Sequence, residues 1–485
     1  MENSRIDRDD AQPVTERIKV DVCVIGAGSG GLSVASGAAQ MGARTVLIEG
    51  GKMGGDCLNY GCVPSKALIA AANHAHSMRS GAPYGITPVE PQVDYAAAKD
   101  HVRRVIDAIA PHDSQERFEG LGVRVIRDWA RFISPTEVQA GGTVVEARRF
   151  VIATGSSPLV PPIEGIGDVS YYTNETIFDL RERPEHLLIV GGGPIGMEMA
   201  QAHVRLGCKV TLVESGRVLP KDDPELAALV AERLKAEGVE IVERQQVERV
   251  SLEGDRITLQ TGDGRFTGTH LLLAVGRRVN LDRLDLGRAN VAYDKGVTVG
   301  ADLRSTTNKR VYAVGDAAGG LMFTHVAGYH GGVVVRSILF GLPAKAKTDH
   351  IPWVSYTDPE LAQVGLTEAQ ARERFGERLT VARADFGGND RAVAEGATTG
   401  LVKVVIVGGR PVGASIVGKG AGDLIAMWAQ AIANRQKMRA ISDTVLPYPT
   451  MSEINKRAAG AYFSPKLFDN PWVKRVVGVV QRVLP

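Results

Sequence analysis

Apolar residues along the chain fall into short unbroken runs that end in glycine or in an acid. Val20-Asp21-Val22-Cys23-Val24-Ile25 runs into Gly26-Ala27-Gly28-Ser29-Gly30-Gly31 and an alanine-rich stretch, and Thr45-Val46-Leu47-Ile48 then closes on Glu49. Such runs predict strands buried on both faces, and the alanine-rich stretch predicts a helix. The same series recurs at His186-Leu187-Leu188-Ile189-Val190 before Gly191-Gly192-Gly193-Pro194-Ile195-Gly196, and at Lys209-Val210-Thr211-Leu212-Val213 before Glu214. The offset from glycine to acid is the same in both, Gly26 to Glu49 and Gly191 to Glu214, which marks an internal repeat of folding units. Three further runs predict returning strands: Phe150-Val151-Ile152-Ala153 before Thr154-Gly155, Leu272-Leu273-Ala274-Val275 before Gly276, and Val311-Tyr312-Ala313-Val314 before Gly315-Asp316. Near the C-terminus the period changes. Apolar residues at 473, 476, 477, 480, 483 and 484 share one helical face, with Lys474, Arg475 and Arg482 opposite.

Bulk composition narrows the class. With 485 residues, 44% hydrophobic and 23% charged, the chain reads as about three globular domains. A net charge of +2 argues against a nucleic-acid partner. No apolar stretch is long enough to span a membrane, and the polar start is not a signal peptide, so residues 1–17 are expected to form a solvated tail. The four cysteines, Cys23, Cys57, Cys62 and Cys208, are too few for a secreted disulfide scaffold and suit a cytoplasmic enzyme with one working pair.

Each repeat unit predicts a dinucleotide cradle. Gly26, Gly28 and Gly31 let the backbone approach a pyrophosphate at a helix N-terminus, and Glu49 is placed to hold ribose hydroxyls. Gly191, Gly193, Gly196 and Glu214 repeat the arrangement. Glu214 favours a free ribose 2′-hydroxyl over a 2′-phosphate, which points to NADH; the nearby Arg217 weakens that preference. Asp316 ends a strand, where it either bonds cofactor hydroxyls or caps the next helix. His325 and His330 follow, and packing is their expected use.

The chemistry concentrates in Gly54-Gly55-Asp56-Cys57-Leu58-Asn59-Tyr60-Gly61-Cys62-Val63-Pro64-Ser65-Lys66. Pro64 suits the first turn of a helix, so Cys62 is expected at a helix N-terminus, where the dipole favours its thiolate. Lys66, four residues on, adds positive charge on the same face. Cys57 is expected on the preceding loop, more exposed and open to an outside substrate. The alternatives are a static disulfide or two unrelated thiols; zinc is disfavoured because no second ligand pair stands at the right spacing. Cys23 and Cys208 read as packing residues.

Together these motifs resemble the FAD-dependent pyridine nucleotide–disulfide oxidoreductases, the family of dihydrolipoamide dehydrogenase, glutathione reductase and mercuric ion reductase, from about Lys19 to about Phe463. The resemblance implies an α/β fold: two Rossmann-like three-layer domains, for FAD and NAD(P), plus a C-terminal α+β dimerisation domain. The expected boundaries are 18–165 and 285–348 for the FAD domain, 166–284 for the NAD(P) domain, 349–465 for the interface domain and 466–485 for the amphipathic tail. It implies that FAD occupies the first cradle with Gly55, Ala130, Thr154, Gly155, Asp316 and Thr324 around it, and that Val247 and Gly276 join the NAD(P) site. Lys66 then lies beside the flavin and pairs with Glu198, Cys62 faces the flavin, and Cys57 exchanges with substrate. A homodimer is implied, each site completed by the other subunit's C-terminal domain.

One position departs from the disulfide reductases of the family. They carry a His-Pro-Thr segment with a glutamate five residues after the histidine, whereas here Tyr448-Pro449-Thr450 precedes Glu453. Tyrosine titrates near about 10 and is a base poorer than histidine by about 4 kcal/mol at neutral pH. Mercuric reductases resemble this chain in carrying tyrosine there, and a soft metal ion needs thiolate ligands more than a proton shuttle. These 485 residues carry neither their C-terminal cysteine pair nor their N-terminal metal-binding domain, which argues against efficient mercury scavenging. The expected function is electron transfer from NAD(P)H through FAD and the Cys57–Cys62 disulfide to a soft metal ion or a disulfide. Alternatives are dihydrolipoamide dehydrogenase activity, direct flavin-to-quinone (diaphorase) transfer and redox sensing. The basic C-terminal helix is expected to pack on the protein's own body; the alternative is peripheral contact with an anionic membrane, which would bring a quinone within reach.

Overall fold

The computed structural model describes residues 13–484. Most of the expected solvated tail, residues 1–12, lies outside the described residues, and Glu16 and Arg17 already belong to the first strand. The first unit is a seven-stranded sheet. β1 (Glu16–Ile25) lies between β2 (Thr45–Ile48) and β6 (Thr143–Ile152), with β3 (Val123–Ile126) outside β2, all parallel. β4 (Ala130–Ser134) and β5 (Glu137–Ala140) extend it antiparallel beyond β6, and the late strand β16 (Val311–Ala313) returns parallel to β6. Side chains alternate between the two faces. Val22, Val24, Leu47 and Val151 pack with α1 (Ser29–Gln40) and α8 (Thr324–Phe340), and Cys23, Ile25, Val46, Ile48, Phe150 and Ile152 enter a second core on the other side. Cys23 and Cys208 are buried packing residues. Ile25 pairs with Ile48 and with Ile152, and Ile152 pairs with Ala313. That register brings Gly26, Glu49, Thr154 and Asp316 to one carboxyl edge of the sheet, the usual place for a ligand in a parallel α/β sheet. Over this edge lie α2 (Gly55–Asn59) and α3 (Cys62–Arg79), followed by α4 (Tyr95–Ile109) and α5 (Gln115–Gly120).

The second unit repeats the logic with β8 (His186–Val190), α6 (Pro194–Arg205), β9 (Lys209–Val213), α7 (Pro224–Ala236), β10 (Val239–Val242) and β14 (His270–Leu273), a parallel sheet ordered β10-β9-β8-β14. β11 (Val247–Glu253), β12 (Arg256–Thr261) and β13 (Arg265–Gly268) form an antiparallel flap beside it. The chain passes between the units twice. The two crossings, β7 (Ser156–Pro158) and β15 (Arg277–Val279), pair with each other as a two-stranded antiparallel ribbon.

The C-terminal unit is an antiparallel sheet ordered β17-β18-β21-β20-β19, built from Pro352–Ser355, Glu360–Gly365, Arg410–Gly418, Leu401–Val407 and Leu379–Asp385 respectively. Its helices are α9 (Glu368–Phe375), α10 (Asp390–Ala394), α11 (Ala421–Leu424), α12 (Ala426–Ala433), α13 (Met438–Ser442) and α14 (Glu453–Phe468). Trp428 anchors its core, fully buried with its indole N–H given to Asn455 Oδ1 at 2.8 Å. The last helix, α15 (Pro471–Val483), is capped by Asn470, which accepts the Trp472 N–H at 2.9 Å. Packing on the protein's own body was the expectation for it, yet none of its described residues is buried, because the chain leaves the C-terminal unit at Asp469 and no element among the described residues covers its apolar face. No helix among the described residues is long and apolar enough to cross a membrane.

Candidate active site

The two cradles are built alike. Gly26 has φ +107°, and a Cβ there would lie 2.3 Å from Ala153 O; Gly191 has φ +111°, with Ala274 O at 2.5 Å. Gly31 and Gly196 sit where the helix crosses the first glycine, and a Cβ on either would meet the Gly26 or Gly191 carbonyl at 1.8 or 1.9 Å. Only glycine permits this turn and this approach. Gly28 and Gly193 cap α1 and α6 without a side-chain hydrogen bond, so the helix N–H groups stay available to an anion. The two acids are held by backbone: Glu49 accepts the N–H groups of Ala27 and Gly51 at 2.6 Å each, and Glu214 those of Gly192 at 2.6 Å and Gly216 at 2.8 Å. Arg217 gives its guanidinium to the carbonyls of Pro220 and Asp222, at 3.1 and 2.7 Å.

The first cradle fits a flavin dinucleotide on two counts. Thr154 Oγ1 is buried with no hydrogen-bond partner among the described residues, and a Cβ at Gly155 would meet nothing within 4 Å of them. Asp316 lies at the same edge, accepting the Ser156 hydroxyl at 2.5 Å, and burial pushes its carboxyl up. Gly55 packs on Gly28, and Ala130 opens β4 as a buried residue. In the second cradle Val247 opens β11, buried, and Gly276 leaves open space beside it. His330 is buried and takes the Gly315 N–H on Nδ1 at 3.2 Å, while His325 Nε2 lies 2.8 Å from the Pro352 carbonyl.

Cys62 is the first residue of α3, capped by Gly61, and Pro64 lies in that first turn. Thr324 Oγ1, on the first residue of α8, lies 3.3 Å from the Cys62 sulfur. The hydrogen bond from Cys57, then Thr324 and the Lys66 charge, outweigh burial and lower the Cys62 thiol to about 6. The same hydrogen bond, together with burial, pushes Cys57 up. The pair therefore splits into one thiolate and one thiol at neutral pH. The expectation for Cys57 is corrected in two respects. It sits in the short helix α2 rather than on a loop, and it is half-buried while Cys62 is the exposed member. Buried Leu58 anchors α2, and Asn59 ties its end to the carbonyls of Met53 and Gly55 at 2.9 Å each, which tucks Cys57 inward.

Lys66 Nζ lies 2.8 Å from Glu198 Oε2, bridging α3 to α6. Tyr356, which the sequence reading missed, completes this contact from the C-terminal unit: its N–H donates to Glu198 Oε1 at 2.9 Å and its ring lies 4.3 Å from Lys66 Nζ. No periodicity links residues so far apart in the chain. Tyr448 and Glu453 lie elsewhere. Tyr448 is 69% exposed and gives its hydroxyl to Asp390 at 2.9 Å rather than to Glu453 or the thiol pair, while Glu453 opens α14. The Asp390 carboxylate holds the Tyr448 phenol above its ordinary range. Elsewhere His76, Glu237 and Asp358 converge, but Arg205 fills the gap, 2.6 Å from Glu237 and 2.8 Å from Asp358, so the cluster is an ion-pair node.

Comparison with known proteins agrees with this geometry. The model of the pyridine nucleotide-disulphide oxidoreductase family matches residues 20–331, and that of the family's dimerisation domain matches residues 351–459. The chain is 34% identical over 457 residues to a mercuric reductase of Streptomyces lividans, covering 92% of this chain and 96% of that one. It is 32% identical over 449 residues to a dihydrolipoyl dehydrogenase of Bacillus subtilis (strain 168), covering 89% and 96%. Among solved structures, the Cu(II) complex of the HOCl-induced flavoprotein disulfide reductase RclA from Escherichia coli superposes with a TM-score of 0.82 at 26% identity, covering 91% of this chain and 99% of that one.

Proposed function

This chain belongs to the pyridine nucleotide-disulphide oxidoreductase family and is an FAD-dependent NAD(P)H oxidoreductase, and we propose that its Cys57–Cys62 pair delivers the electrons to a soft metal ion. FAD, when bound in the first cradle, supplies the two-electron relay between the nicotinamide and sulfur. Glu49, Thr154, Gly155, Asp316 and the open N-terminus of α1 hold it, and the α6 cradle with Glu214 holds the nicotinamide nucleotide. Lys66, fixed by Glu198, keeps a cation beside the thiolate of Cys62. In balance, NAD(P)H, one proton and the Cys57–Cys62 disulfide give NAD(P)+ and two thiols. The two thiols and a divalent ion such as Hg(II) then return the disulfide, two protons and the reduced metal.

The observation that favours a metal over a disulfide is Tyr448. Its phenol is committed to Asp390 and raised above its ordinary range, so the position cannot cycle a proton near neutral pH. Two thiols of unequal acidity suit a soft ion, which binds sulfur once it is deprotonated. Mercuric reductases are among the relatives, beside dihydrolipoyl dehydrogenases. The dimerisation-domain match supports a homodimer, in which Tyr448 and Glu453 are carried to the other subunit's thiol pair. NADH is the preferred donor in this reading, because Glu214 faces the ribose side of the second cradle and Arg217 is already spent on two carbonyls. For α15 we read peripheral contact with an anionic membrane at the cytoplasmic face, since Lys474, Arg475 and Arg482 lie opposite exposed Val476, Val477, Val480 and Val483.

The test is anaerobic reduction of the flavin-loaded protein with NADH, followed by lipoamide, glutathione disulfide, Hg(II), Cu(II) or a quinone. Fastest turnover on a metal ion, lost in Cys57→Ala and Cys62→Ala, supports the proposal. Turnover on quinone that survives both substitutions would replace it with direct transfer from the flavin.

A further inference from the structure

Asp56, the neighbour of Cys57, carries a carboxylate that the site described so far does not use. Its Oδ1 is 3.0 Å from Arg277 Nη2 and accepts Asn174 Nδ2 at 3.1 Å, and the same Asn174 nitrogen donates to the Tyr60 carbonyl at 3.1 Å. Its other oxygen crowds Gly61, the cap of α3: a Cβ on Gly61 would lie 2.8 Å from Asp56 Oδ2. Asn174 thus bridges the Asp56 carboxylate to the Tyr60 carbonyl, the C-terminal end of α2.

The other partner is as well fixed. Arg277 opens β15, one of the two crossings between the nucleotide units. Its Nε donates to Ser156 Oγ and its Nη2 to Ser156 O, both at 2.7 Å, and Ser156 opens β7, the other crossing. Ser156 in turn donates to Asp316 at 2.5 Å. The guanidinium is 15% exposed and the Asp56 carboxylate 34%, so the pairing is only partly screened by solvent. A largely buried cation that stands on one strand of the ribbon and bonds the other and the redox helix links three segments that nothing local in the sequence connects.

We infer that Asp56 and Arg277 are a charge-compensated positioning pair for the thiols: they fasten the short helix carrying Cys57 to the interdomain ribbon and set the electrostatic field that Cys62 feels. The inference rests on the proposed role of Cys57 and Cys62, but its readout needs no turnover, so the two stand or fall separately. Charge at Asp56 disfavours the thiolate of either cysteine, and Arg277 neutralises it. The other groups facing Cys62 are Cys57, Thr324, Lys66 and Tyr356, and those facing Asp56 besides Arg277 are Glu175 and Asp316. All of these are left in place by the test.

Flavin-loaded protein, reduced by dithiothreitol under argon, is alkylated with iodoacetamide over a pH series, and modification of Cys62 is followed by peptide mass spectrometry. Arg277→Met strands the Asp56 charge beside the thiols, and the alkylation midpoint is expected to rise by about half a pH unit or more. Asp56→Asn strands the arginine, and the midpoint is expected to fall by about as much. The double variant is expected to return close to the wild-type midpoint, as the sum of two opposite charge effects. Damage to the fold would move both single variants the same way. Shifts of equal sign, or no shift in either, overturn the inference. Should Arg277→Met fail to fold, Asp56→Asn decides alone: a fall supports the pair, and a rise or no change overturns it.

Discussion

Lys66 Nζ and Glu198 Oε2 stand 2.8 Å apart, with the glutamate side chain 5% exposed and the lysine 37%. The carboxylate is the buried partner, so it fixes the lysine rather than the reverse. Glu198→Gln keeps the shape and the Tyr356 contact but removes the charge. A charge-assisted hydrogen bond is worth about 1.5–3 kcal/mol, so flavin reduction by NADH, followed by stopped-flow absorbance, is expected to slow by about tenfold or more. Lys66→Met is expected to be worse, since it strands a buried carboxylate. Reduction at the wild-type rate in both variants would remove the pair from the proposed machinery.

The unequal thiols predict a pH signature. Cys62 is lowered to about 6, chiefly by the Cys57 hydrogen bond, so its thiolate is populated above that pH and lost below it. Long-wavelength absorbance of the reduced, flavin-loaded protein is therefore expected to appear as pH rises through about 6 and to stay level through neutrality. Cys57→Ser keeps a hydroxyl donor and is expected to preserve much of this behaviour, whereas Cys57→Ala removes the largest stabilising contact and moves the midpoint upward. A midpoint unmoved by Cys57→Ala would assign the acidity to the helix terminus and Lys66 alone.

Much of this site was legible in sequence because its parts are local. A strand, a glycine and a helix cap stand within a few residues of one another, so both cradles, the Cys62 helix start and the carboxyl-edge residues Glu49, Glu214 and Asp316 follow from spacing and backbone sterics. What escaped is held by contacts distant along the chain. Tyr356 reaches Glu198 across 158 positions and Asn174 reaches Asp56 across 118, and neither side chain has a periodic signature. Cys57 was misjudged for a different reason: Gly54, with φ +83°, starts a one-turn helix too short to leave a pattern. The tail helix was legible as an amphipathic element, but its neighbours were not, because what covers an apolar face depends on the path of the chain.

In the proposed reading, donor choice turns on Glu214. Its carboxyl group is fixed by the Gly192 and Gly216 N–H groups at the end of β9, a position that disfavours a 2′-phosphate. NADH is expected to outperform NADPH by about tenfold or more in kcat/KM, equivalent to about 1.4 kcal/mol. Glu214→Ala is expected to narrow that ratio chiefly by improving NADPH. Equal use of both donors by the wild-type protein would show that Arg217 leaves its carbonyl partners for the phosphate.

The tail makes a prediction independent of catalysis. Lys474, Arg475 and Arg482 are all basic, and no acid lies between 471 and 484. Vesicles containing anionic phospholipid are expected to sediment the protein at low salt, with a blue shift of Trp472 fluorescence, and added salt is expected to release it. Each basic residue near such a surface contributes about 1 kcal/mol, so changing all three to glutamine is expected to weaken binding by about 100-fold. Neutral vesicles that bind equally well, or oligomers that dissociate when residues 470–485 are removed, would assign the face to another occupant.

Tyr448 offers the sharpest discrimination between acceptors. Its hydroxyl is tied to Asp390 and its phenol is held above the ordinary range, so the wild-type protein lacks a group at this position that gains and loses a proton near neutrality. Metal-ion reduction that needs only thiolates tolerates this, whereas a dithiol or disulfide substrate needs a proton delivered or removed at each exchange. Tyr448→His supplies such a group, with Glu453 five residues on to orient it. General acid–base catalysis contributes about 10²–10⁴-fold, so lipoamide turnover is expected to rise by at least about tenfold, with a pH profile that acquires a limb near the histidine range. Tyr448→Phe is expected to leave lipoamide turnover at its low wild-type level, because no working base is lost. If Tyr448→His gains nothing on lipoamide while metal-ion turnover collapses, tyrosine is itself part of the acceptor site, and the preference for metal ions lies in what Tyr448 binds rather than in the base it fails to provide.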